Sequence, residues 1–363
     1  MAVNGTGVSQ NAEFALTQGS TWATAATLTG AKKIKAESLG PLTPQQDMVQ
    51  DQSIGYPMPK FVFPGRKNVE LNFSCKLQWS GAFWIPVFQL IGTDIGSVAT
   101  GTYTHYADVA NTINQRFFTA ICEIATTSAQ FYEWPSVKPT GMEISIGGDG
   151  FAQLTMNGIA NDLLIGSDAA NDGTDMDNCS YTDEDGLVTL SHARVNMNAY
   201  DGGDFDSSGD GNDRIYPNGI SIKFSRPYER DFRANRTTSN SKLYQTDEPR
   251  ANGIHSDILL TLDFNETDVR TYFEDFQDQA IKKAEILFYL DADNQIKFQF
   301  PHLVPLQPSY EIGGVGRIPT TLVFQACAVT SAPTGMSGIT EPFRLTVVNQ
   351  NDSTTYHDGG AIT

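Results

Sequence analysis

The groups in this 363-residue chain with chemistry to offer are five histidines, four cysteines and forty-two acidic residues. His105, His192, His255, His302 and His357 are scattered, and none has a cysteine or a second histidine at metal-ligand spacing. No GxSxG, HExxH or phosphate-loop pattern with its Lys-Ser/Thr pair occurs. Asp183 and Asp185 could pair as the acid and base of a hydrolase. A chain this rich in carboxylates produces such pairs by chance, so a non-enzymatic protein is expected. Cys75, Cys122, Cys179 and Cys327 form no CxxC pair, and no disulfide framework is expected. Cys75 shares strand parity with Leu71, Phe73 and Leu77, which predicts a buried, inert thiol.

Two charged clusters stand out. Twelve acidic residues fall between positions 166 and 213, against one arginine, Arg194. Within that stretch Asp204, Asp206, Ser208, Gly209, Asp210 and Asn212 match the first nine positions of a calcium-binding loop, with oxygen ligands alternating and glycine sixth. Position twelve is Ile215 where that loop needs a bidentate glutamate. A loose Ca²⁺ site and a solvated acidic loop are the two readings, and no other cofactor is expected. The second cluster is basic: Lys223, Arg226, Arg230, Arg233 and Arg236, with Glu229 and Asp231 among them. It reads as a nucleic-acid contact, a solvated loop, or an arm meeting an acidic surface of a neighbouring subunit. The third is preferred for Arg226, Arg230, Arg233 and Arg236, because complementary charge sets register between subunits.

The elements that carry these groups come in a repeat. Tyr132, Trp134, Pro135, Val137, Pro139, Ile146, Gly147, Gly148 and Gly150 are matched 166 positions on by Phe298, Phe300, Pro301, Leu303, Pro305, Ile312, Gly313, Gly314 and Gly316. Earlier, Val69, Leu71, Phe73 and Leu77 alternate as a half-buried strand, and Ile258, Leu260, Leu262 and Phe264 do so 189 positions on. At that same step Gly30 meets Gly219, each opening a short strand-like run. A helix follows in both copies, near Phe83–Ile91 and over Val269, Tyr272, Phe273 and Phe276, the latter capped by Asn265 with Asp268. The change of step places about 23 extra residues in the first copy, as a long loop over Thr93–Asn114.

Each copy ends in a hairpin. Met142, Ile144, Ile146, Leu154 and Met156 form its apolar face. Glu143, Ser145, Gln153, Thr155 and Asn157 form its polar face, with Ser309 and Glu311 in the second copy. The fold expected is mainly β: two tandem β-sandwich units, each with one flanking α-helix and a long loop. The divisions expected are an N-terminal arm (1–29), a first unit (30–160), an acidic linker or insertion (161–218) with one strand over Leu187–Met197, a second unit (219–330) and a C-terminal extension (331–363) with a strand over Phe343–Val348.

Net charge is −18, which disfavours phosphate binding by charge neutralisation. No apolar run is long enough to cross a membrane. Met1 to Gln18 lacks a basic cluster before an apolar core, so no secretory signal is expected.

In the order and spacing of these elements the chain resembles the tail tube proteins of long-tailed bacteriophages. The resemblance covers Ala31–Ala36, Val69–Leu77, Phe83–Ile91 and Phe117–Ala160, and then Gly219–Phe224, Ile258–Phe276 and Lys282–Ala328. It implies six units per ring with sheets joined edge to edge into an inner barrel, hence homotrimeric, pseudo-hexameric rings of this duplicated chain. Rings would stack head to tail into a conduit for DNA ejection, assembled in host cytoplasm and carried in the virion tail. The implied partners are the chain itself, other tail proteins at the tube ends, and the tape measure protein and phage DNA in the lumen, without membrane or sequence-specific binding. The polar hairpin face would line that lumen, and an acidic lining would repel DNA. Alternatives are a distal tail or baseplate ring component and a calcium-dependent carbohydrate-binding adhesin, the latter suggested by the Asp204–Asn212 run with Tyr103 and Tyr106.

Overall fold

The computed structural model describes residues 12–50, 58, 61–92, 95–99, 102–110, 114–125, 129–148, 150–181, 186–205, 213–230, 247–251, 256–264, 270–306, 309–310 and 320–350. The chain is mainly β, with most strands joined in one large sheet. The first half holds β1 (Ala12–Gln18), β2 (Gly30–Ile34), β3 (Ala36–Gly40), β4 (Gln45–Gln50), β5 (Val62–Lys76), α1 (Trp84–Ile91), β6 (Ser97–Ala99), β7 (Thr102–Asp108), β8 (Phe118–Ile124), β9 (Gln130–Gly147) and β10 (Gln153–Ala160). A connecting region holds β11 (Leu164–Ile165), α2 (Gly173–Asp177), β12 (Cys179–Tyr181), β13 (Ala193–Ala199) and β14 (Arg214–Ile215). The second half holds β15 (Gly219–Ser225), β16 (Tyr228–Glu229), β17 (Arg250–Ala251), β18 (Asp257–Phe264), α3 (Arg270–Gln277), β19 (Lys282–Asp291), β20 (Asn294–Pro305), β21 (Ser309–Tyr310), β22 (Thr320–Ala326) and β23 (Arg344–Asn349).

β9 is long enough to serve two layers. Its first half pairs with β8, and β8 with β1. Its second half pairs with β10, and β10 with β5. The layers meet across the core, where Phe14 of β1 and Phe73 of β5 bring their rings to 5.3 Å. At the crossing, β10 shifts register between Asn157 and Gly158. A Cβ on Gly158 would stand 2.5 Å from Val137 Cγ1, so only glycine lets the two strands approach there.

The same pairing order recurs. β20 pairs with β19 and β22, β22 with β18, and β19 with β13. Registers agree residue by residue at the steps read from the sequence. Leu154 faces Cys75, and Thr320 faces Phe264. Pro139 faces Gly158, and Pro305 faces Phe324. Ser145 faces Gln153 one register away from that pair, and the strands following Pro305 carry the same one-residue shift, with Ser309 facing Thr321. A second irregularity recurs as well: Phe118–Val137 to Ala120–Trp134, and Lys282–Leu303 to Ala284–Phe300.

α1 forms through burial. Phe83 at its N-cap makes no side-chain cap, yet all eight helical residues are buried. Pro86 sits in the first turn, where the amide it lacks would have no intrahelical partner. Gly92 ends the helix against β7, where a Cβ would come within 2.0 Å of the Asp108 carbonyl oxygen.

Several expectations change here. Thr93–Asn114 is not simply a long loop: β6 and β7 form a hairpin in it, and β7 pairs along its length with β23 of the C-terminal extension. The arm and linker boundaries divide paired strands. β1 lies inside 1–29 and pairs with β8; β13 lies inside 161–218 and pairs with β19. Gly30 and Gly219 do open strands, but not equivalent ones. β2 pairs with β1 and β12, whereas β15 lies between β9 and β18. It is β3 that lies on β5, as β15 lies on β18. The strand expected within the extension over Phe343–Val348 is present as β23. The helix over residues 270–277 is present, while the proposed cap at Asn265 and Asp268 lies outside the described residues.

Candidate functional site

The broadest chemical feature is one open sheet face. β15 pairs edge to edge with the second half of β9, from Gly219 opposite Gly147 to Ser225 opposite Gly141. This joins β3, β5, β10, β9, β15, β18 and β22 into a continuous antiparallel run. Met142, Ile144, Ile146, Leu154 and Met156 point into the core. Glu143, Ser145, Gln153, Thr155 and Asn157 are all partly or fully exposed on the other side, as the alternation predicts. Ser309 lies in β21, and Glu311 lies outside the described residues.

Short polar side chains dominate this face and bond to one another across strands. Ser38 and Ser74 hydroxyls are 2.7 Å apart, Gln153 Nε2 donates to Glu37 at 3.0 Å, and Ser221 donates to Glu143 at 3.0 Å. Thr321 donates to Asp263 at 2.7 Å. Glu70, Glu143, Asp257 and Asp263 share the face with Lys76 and Lys223, and Lys223 lies directly opposite Glu143. The described face is therefore polar and of mixed charge.

At one end the face opens into a groove of about 680 Å³ lined by Asn68, Glu70, Asn157, Ser225 and Arg230 among others. Arg230 donates to Asn68 Oδ1 and Glu70 Oε1, both at 2.9 Å. Arg226 is 6 % exposed and lies against the Phe224 ring. Burial lowers the pKa of both arginines, with Glu70 opposing the shift at Arg230. Both side chains are thus engaged within the chain. Arg233 and Arg236 lie outside the described residues. Behind Arg226, Lys138 is 1 % exposed and ion-paired with Glu248, which also accepts from the Gln115 amide. Its ammonium lies over the Tyr228 ring, and burial pushes the Tyr228 phenol up to about 12.

Of the calcium-loop residues, Asp206, Ser208, Asp210 and Asn212 lie outside the described residues. Asp204 is described, and a cation already lies close by. Lys283 is 0 % exposed and donates to the carbonyl oxygens of Gly202, Gly203 and Thr334 at 2.8, 2.7 and 2.7 Å. Burial lowers its pKa, against the pull of Asp204, Asp213 and Asp201. Among the described residues no cluster of three or more His, Cys, Asp or Glu could hold a metal.

The other reactive types are dispersed. His105 is buried near Phe88, His192 packs on Trp79 and accepts from the Thr189 amide, and His302 packs on Tyr200. His255, His357, Asp183 and Asp185 lie outside the described residues. All four cysteines are free thiols, and burial pushes Cys75 up to about 12 and Cys122 up to about 11. Among the described residues no helix is long and apolar enough to cross a membrane. A cavity of about 340 Å³ is bordered by Lys33, Lys35, Lys76, Cys75 and Tyr181.

Sequence reasoning did not single out Lys138, Lys283 or Glu133. Glu133 is fully buried and accepts from the Ala170 and Asn171 amides, pinning the region after β11 to β9. Lys138 stands inside the run Trp134–Pro139, where the surrounding apolar residues were the available signal. In comparisons with known proteins, no protein-family model matches this chain and no curated protein matches it.

Proposed function

We propose that this chain is a structural subunit made of two copies of one β unit, which closes with further copies into rings that stack as a phage-type tail tube conducting DNA. One observation carries the reading: β15 of the second strand group pairs with β9 at the edge of the first, so the chain already contains one edge-to-edge junction between like sheets. The agreement of registers, including both irregularities, supports a duplication. With β3 at one edge of the run and β21 beside β22 at the other, repeating the same junction between chains would close the sheet and remove its exposed edges. Three chains would then give six units, and the open polar face would line the channel. Hydroxyl and amide groups already bonded to their neighbours offer DNA little to adhere to, which replaces bulk acidity as the physical basis of passage.

Electron microscopy of the purified full chain at low and high concentration tests the reading. Hollow tubes or stacked rings with threefold or pseudo-sixfold symmetry are expected. Discrete rings that never stack would point instead to a terminal ring component, and monomers at every concentration would overturn the proposal.

A further inference from the structure

Two ion pairs fasten a ribbon of the second half onto the first. The ribbon is β16 with β17, and the residues beside it bring Arg230 to Glu70 of β5 at 2.9 Å and Glu248 to Lys138 of β9. Tyr228 covers the same lysine, its ring 5.3 Å from the ammonium. Lys138 and Glu70 flank Ile159 across the sheet, as Val304 and Leu259 flank Gln325. The steps of 166 and 189 positions thus carry the lysine onto valine and the glutamate onto leucine. The ribbon has a counterpart of its own. Gln50 of β4 pairs with Val62 as Tyr228 pairs with Ala251, by steps of 178 and 189 positions. At those steps the counterpart of Arg230 is Gln52 and that of Glu248 is Pro59, both outside the described residues. All four members of the two ion pairs therefore have uncharged counterparts.

The two places differ in exposure as well. Lys138 is buried beneath its ribbon, whereas Val304 is half-buried and Leu306 is 39 % exposed. With Leu259 and Val323 these form one aliphatic patch on an otherwise polar face. Leu259 and Val304 both lie beside Gln325, and the Leu306 amide donates to the Val323 carbonyl. The first half's ribbon is open too. Every residue of β4 is exposed, Met48 at 61 %, and Val62 of β5 is 47 % exposed. A two-stranded ribbon is marginal by itself, and apolar surface left in water on both partners favours their contact.

We propose that the ribbon of β4 and β5 seats on the patch formed by Leu259, Val304, Val323 and Leu306 of a second copy of this chain, so that an uncharged junction joins chains where two ion pairs join the halves of each. This rests on the ring-forming reading above. A second copy is the occupant because ribbon and patch are the counterparts of a pair already joined within the chain, while β4 itself lies uncovered there. The change of chemistry also sorts the partners. Arg230 or Glu248 placed on the aliphatic patch would bury a charge unpaired, and an uncharged ribbon placed on Lys138 and Glu70 would strip both of their partners. Each first half is thereby directed to the second half of a neighbouring chain.

Cross-linking of the full chain tests this. Tyr228 lies against Lys138, so its counterpart Gln50 is expected against Val304 of the second copy. In a Cys327→Ser background, Gln50→Cys with Val304→Cys is treated with a short bismaleimide, and Arg230→Cys with Glu70→Cys serves as the internal control. The control pair is expected to link within one chain, and the Gln50–Val304 pair only between chains. Assembled rings without that interchain link, or a link within one chain, would overturn this inference and leave the ring reading standing. Interchain links in oligomers that never close into rings would overturn the ring reading alone, and absence of both oligomers and link would overturn both. A second arm uses Val304→Lys, which places on the patch the residue type of Lys138 without its glutamate. Assembly is expected to fall about tenfold or more, because an unpaired ammonium would be buried, while Val304→Ile assembles as wild type does. Should the lysine variant unfold early, Leu306→Glu at a more exposed position is expected to show the same loss. Full assembly of a stably folded charged variant would overturn the contact.

Discussion

Replacing Lys283 with methionine removes a charge but keeps the length and much of the volume of the side chain. Three carbonyl oxygens, from Gly202, Gly203 and Thr334, then lose donors at 2.7–2.8 Å. A buried acceptor left without a partner costs about 1–3 kcal/mol, and the ammonium no longer incurs its own desolvation. Gly203 and Thr334 belong to exposed residues, so their carbonyls can recover water if their segments lift from β19. These opposing terms place the loss near ~3 kcal/mol for a state that stays closed, or about 150-fold in an opening equilibrium. Lifting should be the easier route, so the change should be local. Hydrogen exchange read by mass spectrometry is the appropriate assay. Peptides covering 199–205 and 331–338 should exchange far faster in Lys283→Met, while β18 and β22 keep their protection. Unchanged exchange in both peptides would refute the view that this ammonium ties the acidic region to the C-terminal extension.

Gly158→Ala should destabilise the first strand group by about 1–3 kcal/mol, seen as a lower urea midpoint, because the new methyl meets Val137 Cγ1 at 2.5 Å. Thiol labelling of the native protein at neutral pH should spare Cys75, Cys122 and Cys179, which are buried, and modify Cys327 slowly; full labelling should require denaturant. Burial raises the Tyr228 phenol from 10.0 to about 12. Its contribution to stability is therefore present below pH 10 and lost as pH rises from 10 to about 12. The stability of wild type relative to Tyr228→Phe should fall across that window, and a constant difference would contradict the burial.

The sequence alone determined the features that depend on local pattern. Alternation along Val69–Leu77, Met142–Ile146 and Ile258–Phe264 placed strands and their buried faces, because side chains in a strand point alternately to opposite sides. The steps of 166 and 189 were legible because each rests on residues inside a strand or the turn beside it, whereas the pairing of β5 with β10 and of β18 with β22 was not. Tertiary structure decided what depends on distant neighbours. Gly30 and Gly219 looked equivalent, but strand pairing is set by which edges are free and which faces need covering. By that criterion β3, not β2, lies on β5, as β15 lies on β18. The hairpin in Thr93–Asn114 takes its place from β23, whose Arg344 forms paired bonds of 2.6 and 2.7 Å to Asp108. The basic cluster read as a surface because arginine is usually solvated, yet Arg226 is buried and Arg230 found partners on β5, remote in sequence. Lys138 had a signal in the apolar residues around it, but Lys283 and Glu133 could not be recognised as buried from their neighbours in the chain. Whether an ionised group is buried depends on the acceptors or donors that surround it, and only the folded chain brings those together.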